Sequence, residues 1–214
     1  MIDALPQKRR RGRPPKSQTG PNETRERLLQ AGVEILTEKG FSATGIDEIL
    51  RRVSVPKGSF YHYFSSKDEF GSAMIKRYAD YFAHKLDTLL KIETLPPLER
   101  IKAFVADAEA GMARHNFKRG CLVGNLGQEM GRLPEQFREQ LEAVFETWQY
   151  RVEVCLEAAK GAGEIAPGSD CKKLAKLFWI GWEGAVLRAK LERSPEPLTI
   201  FSDFYLSAIA LDRL

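Results

Sequence analysis

Two stretches of this chain carry side chains whose type and spacing could do chemistry. The first is "KRRRGRPPK", residues 8–16, with six cations in nine positions and almost nothing apolar to bury. Such a run is either a solvated tail or an arm for a polyanion. Within it, Arg11-Gly12-Arg13-Pro14 resembles the AT-hook core, where glycine permits a narrow extended backbone and the two arginines lie on the floor of an A·T-rich minor groove. The second is Cys121, which follows Lys118, Arg119 and Gly120 at the expected start of a helix, a setting in which cations and the helix dipole favour thiolate. A thiolate adds to electron-poor alkenes, which makes Cys121 a candidate sensor; the alternative is a small, inert core residue.

Neither stretch makes an enzyme. A cysteine nucleophile needs a base held by a third group, and of His62, His84 and His115 only His115 lies near Cys121, with no evident orienter. No CxxC or metal-ligand spacing joins Cys121, Cys155 and Cys171, and no cofactor is implied. Without a signal peptide or an apolar run long enough to span a bilayer, the expected location is the cytoplasm, at the nucleoid if the partner is DNA, with reduced thiols and no membrane contact.

The elements that position these residues are helical almost throughout. The net charge of +4 divides into +5 on residues 1–20 and −1 on the remainder, so a nearly neutral body follows a basic arm. Residues 24–39 place Leu28, Ala31, Val33, Ile35 and Leu36 at helical spacing, with Gly40 set to end the helix. A short helix over about 46–53 follows, capped by Thr44 or Gly45, then a turn at Ser54 to Pro56 and a third helix over 57–64. A fourth runs from Lys67 to about Leu90. Helix, tight turn, helix is the arrangement that lays its second helix in a DNA major groove, and residues 51–67 hold Arg51, Arg52, Lys57, His62 and Lys67 with no acidic residue. Phe60 and Phe64, four apart, read as core; Tyr61 and His62 fall on the other side, where a phenol and an imidazole suit phosphate or base edges.

The stretch "GFSATGIDEILRRVSVPKGSFYHYFSSKDEFGSAMI", residues 40–75, resembles the DNA-binding domain of the TetR family of bacterial repressors. The resemblance implies an all-α fold: a basic arm (1–20), a helix-turn-helix DNA-binding domain (21–68) and a helical ligand-binding and dimerisation domain (69–214). It also implies a homodimer, an operator duplex and a small-molecule effector. By the same resemblance Thr44 or Gly45 meets phosphate, Lys57, Gly58, Ser59 and Tyr61 lie on the recognition helix, His62 touches the DNA backbone and Lys67 pins phosphate. Val53 and Ser54 stand where the family usually has Ala and Gly, which should alter the turn slightly.

Two long helices are expected beyond residue 90. One over 134–159 carries Phe137, Leu141, Val144, Phe145, Trp148, Val152, Cys155, Leu156 and Ala159; one over 170–193 carries Leu174, Leu177, Phe178, Trp182, Ala185 and Ala189. Rich in apolar and small residues, with Gly181 and Gly184 allowing close approach, they suit a two-fold four-helix dimer interface. Residues 115–131 and 178–198 resemble the acrylate-responsive and electrophile-sensing members of the family, which implies a sensing pair at Cys121 and Lys190. A pocket for a small anionic alkene would want cations or amides beside an apolar wall: Lys190, Arg188, Asn125 and Gln128 are candidates for the first, Trp179, Trp182 and Met130 for the second. The rival reading is an architectural A·T-rich DNA binder without effector, which leaves the long second domain unexplained.

Overall fold

A computed structural model describes residues 21–211, so the arm, with Arg11 and Arg13, lies outside the described residues. Within them the chain is all-α, as its periodicity predicts. The helices are α1 (Pro21–Lys39), α2 (Ile46–Val53), α3 (Lys57–Tyr63), α4 (Lys67–Leu90), α5 (Pro97–Ala113), α6 (Leu122–Gln128), α7 (Glu135–Gly161), α8 (Cys171–Glu192) and α9 (Glu196–Ile209), with a 3-10 turn at Met130–Arg132.

Local chemistry sets most of these ends. Gly40 stops α1 at φ 85°, a conformation that glycine adopts without a Cβ penalty, and its N–H donates to Leu36 O at 2.9 Å. Pro56 opens α3, and the Asp170 side chain accepts from Lys173 N to cap α8. Ser54 closes α2 in the left-handed conformation at φ 55°, doing what a glycine would do there at a cost of roughly 1 kcal/mol. The altered residue thus leaves the turn in place.

The first three helices close on the start of α4 around Leu28, Leu36, Ile49, Phe60, Phe64, Phe70 and Met74, all buried. Gly32 has no side chain because Phe70 and Met74 occupy that space. The remainder of α4 carries Phe82 and Leu86 into a second core, where Trp148, Trp179 and Trp182 are buried and Trp148 and Trp179 centroids lie 4.9 Å apart. Each such aromatic contributes roughly 2–3 kcal/mol on burial. One helix therefore joins both cores, and the boundary expected at 68/69 falls inside its first turn.

The two long helices pack on each other through these tryptophans, which commits one face of α7 to the core. Leu177, one of the apolar residues expected on α8, is exposed. It begins a different row on α8, Leu177, Ile180, Gly184, Leu187 and Leu191, spaced three and four residues apart as in a coiled-coil seam. Its four leucine and isoleucine side chains are 44–75% exposed, and Ile200 and Phe204 of α9 extend the same apolar exposure to 62% and 75%. Gly181 instead packs inward, against Phe201. The longest exposed apolar row among the described residues therefore lies on α8 and α9, while α7 exposes Tyr150 and Val154.

Candidate DNA-binding face and ligand cavity

On the outer side of α2 and α3, Lys57, Gly58, Tyr61 and His62 are exposed and Ser59 is half-buried. Phe60 anchors the helix from behind and meets Tyr61, Phe64 and Phe70 edge-on or tilted at 5.2–5.4 Å. Lys57 bridges to Asp47 of α2 at 3.1 Å, both side chains well exposed, so the ammonium is held loosely and available. Gly45 is the exposed, extended N-cap of α2, with open space where a Cβ would stand. Two residues expected at phosphate face elsewhere. Thr44 is buried and its hydroxyl donates to Gly40 O at 2.6 Å; Lys67 is half-buried, donates to Phe41 O at 2.8 Å and lies 4.4 Å over the Phe41 ring. Both tie the α1–α2 turn together, because their neighbours offer acceptors closer than solvent does.

A cavity of about 1010 Å³ opens between α1, α4, α5 and α8. Its buried end has an apolar wall of Phe82, Met112, Trp182 and Val186 with three titratable groups, Tyr78, Cys121 and Glu183. Its exposed end is lined by charges such as Arg77, Arg119 and His115. Cys121 is the N-cap of α6, as expected, and its sulfur accepts from Gly124 N at 3.5 Å. The expected thiolate is not there: burial, then the Glu183 carboxylate beside it, pushes the Cys121 thiol well above the usual range. Burial, with Cys121 and Glu183 nearby, likewise raises the Tyr78 hydroxyl, and burial raises the Glu183 carboxyl to about 7. Glu183 Oε1 is buried without a hydrogen-bond partner, and so is Gln140 Oε1 in the same cavity.

Residues on either side of Cys121 are hydrogen-bonded to the end of α1. Thr37 O accepts from Gly120 N at 3.0 Å, Asn125 Nδ2 at 3.0 Å and Lys190 Nζ at 3.2 Å. Asn125 also donates to Leu36 O and Lys190 to Glu38 O. Glu129 then accepts from Phe41 N at 2.9 Å and Ser42 N at 2.7 Å. These carbonyls are the ones a helix C-terminus leaves without intrahelical partners. The wall of the cavity satisfies them, so the two cores are bolted together at the helix against which α2 packs.

A family model described as "Bacterial regulatory proteins, tetR family" matches residues 28–74, and one described as "Tetracyclin repressor-like, C-terminal domain" matches residues 97–204. The chain is 53% identical to the transcriptional regulator AcuR of Cereibacter sphaeroides over 199 residues, 93% of this chain and 90% of that one. The chain belongs to the TetR family. Among solved structures, regulatory protein TetR from Rhodobacter sphaeroides superposes with a TM-score of 0.85 at 53% identity, covering 86% of this chain and 97% of that one. Escherichia coli NemR in its reduced form gives 0.80 at 31% identity, covering 88% and 97%. TetR proteins are transcriptional regulators that bind operator DNA and small-molecule effectors, not enzymes. Among the described residues, no helix is long and apolar enough to cross a membrane.

Set in a TetR ligand domain, the eight expected ligand residues separate. Cys121 and Trp182 line the cavity. Asn125 and Lys190 donate to backbone carbonyls at the end of α1, and neither lines the cavity with Cys121. Trp179 is fully enclosed core, Met130 packs beside the core in the 3-10 turn, and Gln128 and Arg188 are exposed, the latter paired with Glu192. Sequence reasoning missed Tyr78, Gln140 and Glu183. For Glu183 a signal existed: it is the only charge in the apolar run "LFWIGWEGAVL".

Proposed function

We propose that the protein is a ligand-responsive repressor, released from its operator when a small electrophile or short carboxylate such as acrylate enters the cavity beside Cys121. The observation that carries this reading is the cluster of donors on Thr37 O. A ligand that shifts residues 118–129 must strain or break those bonds, and α1 answers for the position of α2 and α3. A differential affinity of about 1–3 kcal/mol between DNA-competent and DNA-incompetent states is enough for such a switch. The raised thiol favours occupancy over covalent capture as the signal.

In this reading residues 21–68 bind DNA through Lys57, Gly58, Ser59, Tyr61 and His62, residues 69–214 bind effector and dimerise, and residues 1–20 reach the minor groove through Arg11 and Arg13. The exposed rows of α8 and α9 meet their symmetry mates in a four-helix seam, where Gly184 lets the helices approach closely. A two-fold dimer then sets two recognition helices about 34 Å apart on a near-palindromic site at the nucleoid. The test is release of a fluorescent operator duplex by acrylate, repeated with Cys121→Ser. Release retained in Cys121→Ser supports occupancy; release lost there makes the sensor covalent. No release by acrylate or by a neutral electrophile leaves an architectural DNA binder.

A further inference from the structure

Glu183 sits at the buried end of the cavity, on α8, with Oε1 enclosed and without a partner. An unpaired buried carboxylate is costly, so such a group is either neutral or waiting for a partner. Nor is it there by accident of packing: its other oxygen occupies the place where a Cβ on Gly124 would stand, so the carboxyl is seated on the first turn of α6. Gly124 in turn follows Cys121, whose thiol faces the same carboxyl.

The groups around this carboxyl decide what it can receive. From α4 comes the Tyr78 hydroxyl and from the entry to α6 the Cys121 thiol, both raised and therefore neutral donors at neutral pH; α7 adds only the neutral Gln140 to the lining of the cavity. The cations that would ordinarily hold a carboxylate are engaged. Lys190 donates to Thr37 O and Glu38 O, Arg119 pairs with Glu34 at 3.4 Å, Lys85 of α4 with Asp107 of α5, and Arg77 with Glu26. Arg114 and His115 lie at the exposed end. A carboxylate arriving at the buried end meets no free positive charge there, only an acid like itself.

We propose that Glu183 receives the effector: a short carboxylate enters this cavity together with a proton, which it shares with the Glu183 carboxyl. An acid–carboxylate pair is a strong charge-assisted hydrogen bond that carries one net negative charge, where two carboxylates would carry two. The Tyr78 hydroxyl and Cys121 thiol can donate to the remaining oxygens. This assignment rests on the reading that the cavity takes a carboxylate effector. It makes Glu183 a specificity-determining residue and makes binding proton-linked. Burial pushes the carboxyl up to about 7. Below that pH it already holds the proton; above it the proton comes from solvent and affinity falls about tenfold per pH unit.

Calorimetric titration of the full-length protein with sodium acrylate and with sodium propionate, between about pH 6 and pH 9 in buffers of different ionisation enthalpy, tests it. Propionate cannot alkylate a thiol, so it reports occupancy alone. The expected result is a dissociation constant that is flat below about pH 7 and rises about tenfold per pH unit above it, with close to one proton taken up per ligand at the alkaline end. Glu183→Gln, which keeps an N–H to donate, should lose both the slope and the proton uptake, whereas His115→Gln should keep them. Wild-type binding that is independent of pH, or a slope that persists in Glu183→Gln, overturns the assignment while leaving a carboxylate effector in place. Failure of both ligands to bind at any pH overturns that reading as well. Should Glu183→Gln fail to fold, wild-type binding without proton uptake above about pH 7 still overturns the assignment.

Discussion

Replacing Gly40 by alanine probes the joint between the two cores at a single atom. Gly40 holds φ 85°, and a Cβ there would collide with Oε1 of Glu129, the carboxylate that accepts from Phe41 N at 2.9 Å and Ser42 N at 2.7 Å. Alanine in the left-handed region costs about 1–2 kcal/mol. Charge-assisted bonds contribute about 1.5–3 kcal/mol each when buried, but Ser42 is exposed and Glu129 half-buried, so their joint loss is discounted to about 1–2 kcal/mol. Together these give about 3 kcal/mol, or a fall in Tm of roughly 6–12 °C for a chain of this size. Thermal unfolding followed by circular dichroism measures it. A double-mutant cycle supplies the sharper readout. With Glu129→Ala already present, Gly40→Ala should cost only the backbone strain, leaving a non-additivity of about 1–2 kcal/mol. Additivity within about 0.3 kcal/mol would show that the methyl does not displace Glu129 and would refute the reasoning. Both single variants should also weaken effector-driven release of the operator, since they loosen the contact through which it travels.

Other expectations follow from exposed and buried groups in turn. Lys57→Ala and Tyr61→Ala should weaken operator binding while leaving Tm within about 1–2 °C of wild type, since the Lys57–Asp47 pair is exposed; unchanged affinity at matched salt would remove α3 from the interface. Deleting residues 1–16 should flatten the plot of log affinity against log salt and reduce the preference for A·T flanks, as measured by fluorescence anisotropy; an unaltered slope would make the arm a solvated tail. Leu187→Glu, which places a charge in the apolar row of α8, should halve the mass seen by light scattering, and a dimer that survives it would move the seam elsewhere. Glu183→Gln should raise Tm at alkaline pH and leave it nearly unchanged at about pH 4. The sign is fixed by the raised carboxyl: above about 7 the folded state must hold a buried carboxylate whose Oε1 has no partner, between about 4.5 and 7 folding must take up a proton, and below the unfolded value of about 4.5 neither cost arises. Equal Tm differences at both pH values would show that Glu183 carries no such cost.

Much of the architecture was legible because it is written in short-range chemistry. Gly40, Pro56 and Asp170 mark helix ends through their own backbone freedom or capping groups, and Phe60 with Phe64 declares a buried face by spacing alone. The same spacing leaves Lys57, Tyr61 and His62 on the outer side of α3. Periodicity was less decisive on α8: which of its apolar residues meet the core and which stay exposed depends on the tryptophans of α7 and α8 fitting together, so the expected set mixes the buried Phe178 and Trp182 with the exposed Leu177.

The ligand site was less legible for a related reason. Residue types named plausible candidates, yet Lys190, Asn125, Lys67 and Thr44 all turn to backbone carbonyls that only the folded chain brings near them. Cys121 shows the limit most plainly. Its sequence neighbours, Lys118 and Arg119, argue for thiolate, and its place at the start of α6 is as they suggest. The sequence determined the helices, their caps and the basic recognition face, each of which depends on residues a few positions apart. Tertiary structure alone decided the state of the thiol, because desolvation and a carboxylate from α8, sixty-two residues away in sequence, act through space and outweigh the charges next to it in the chain.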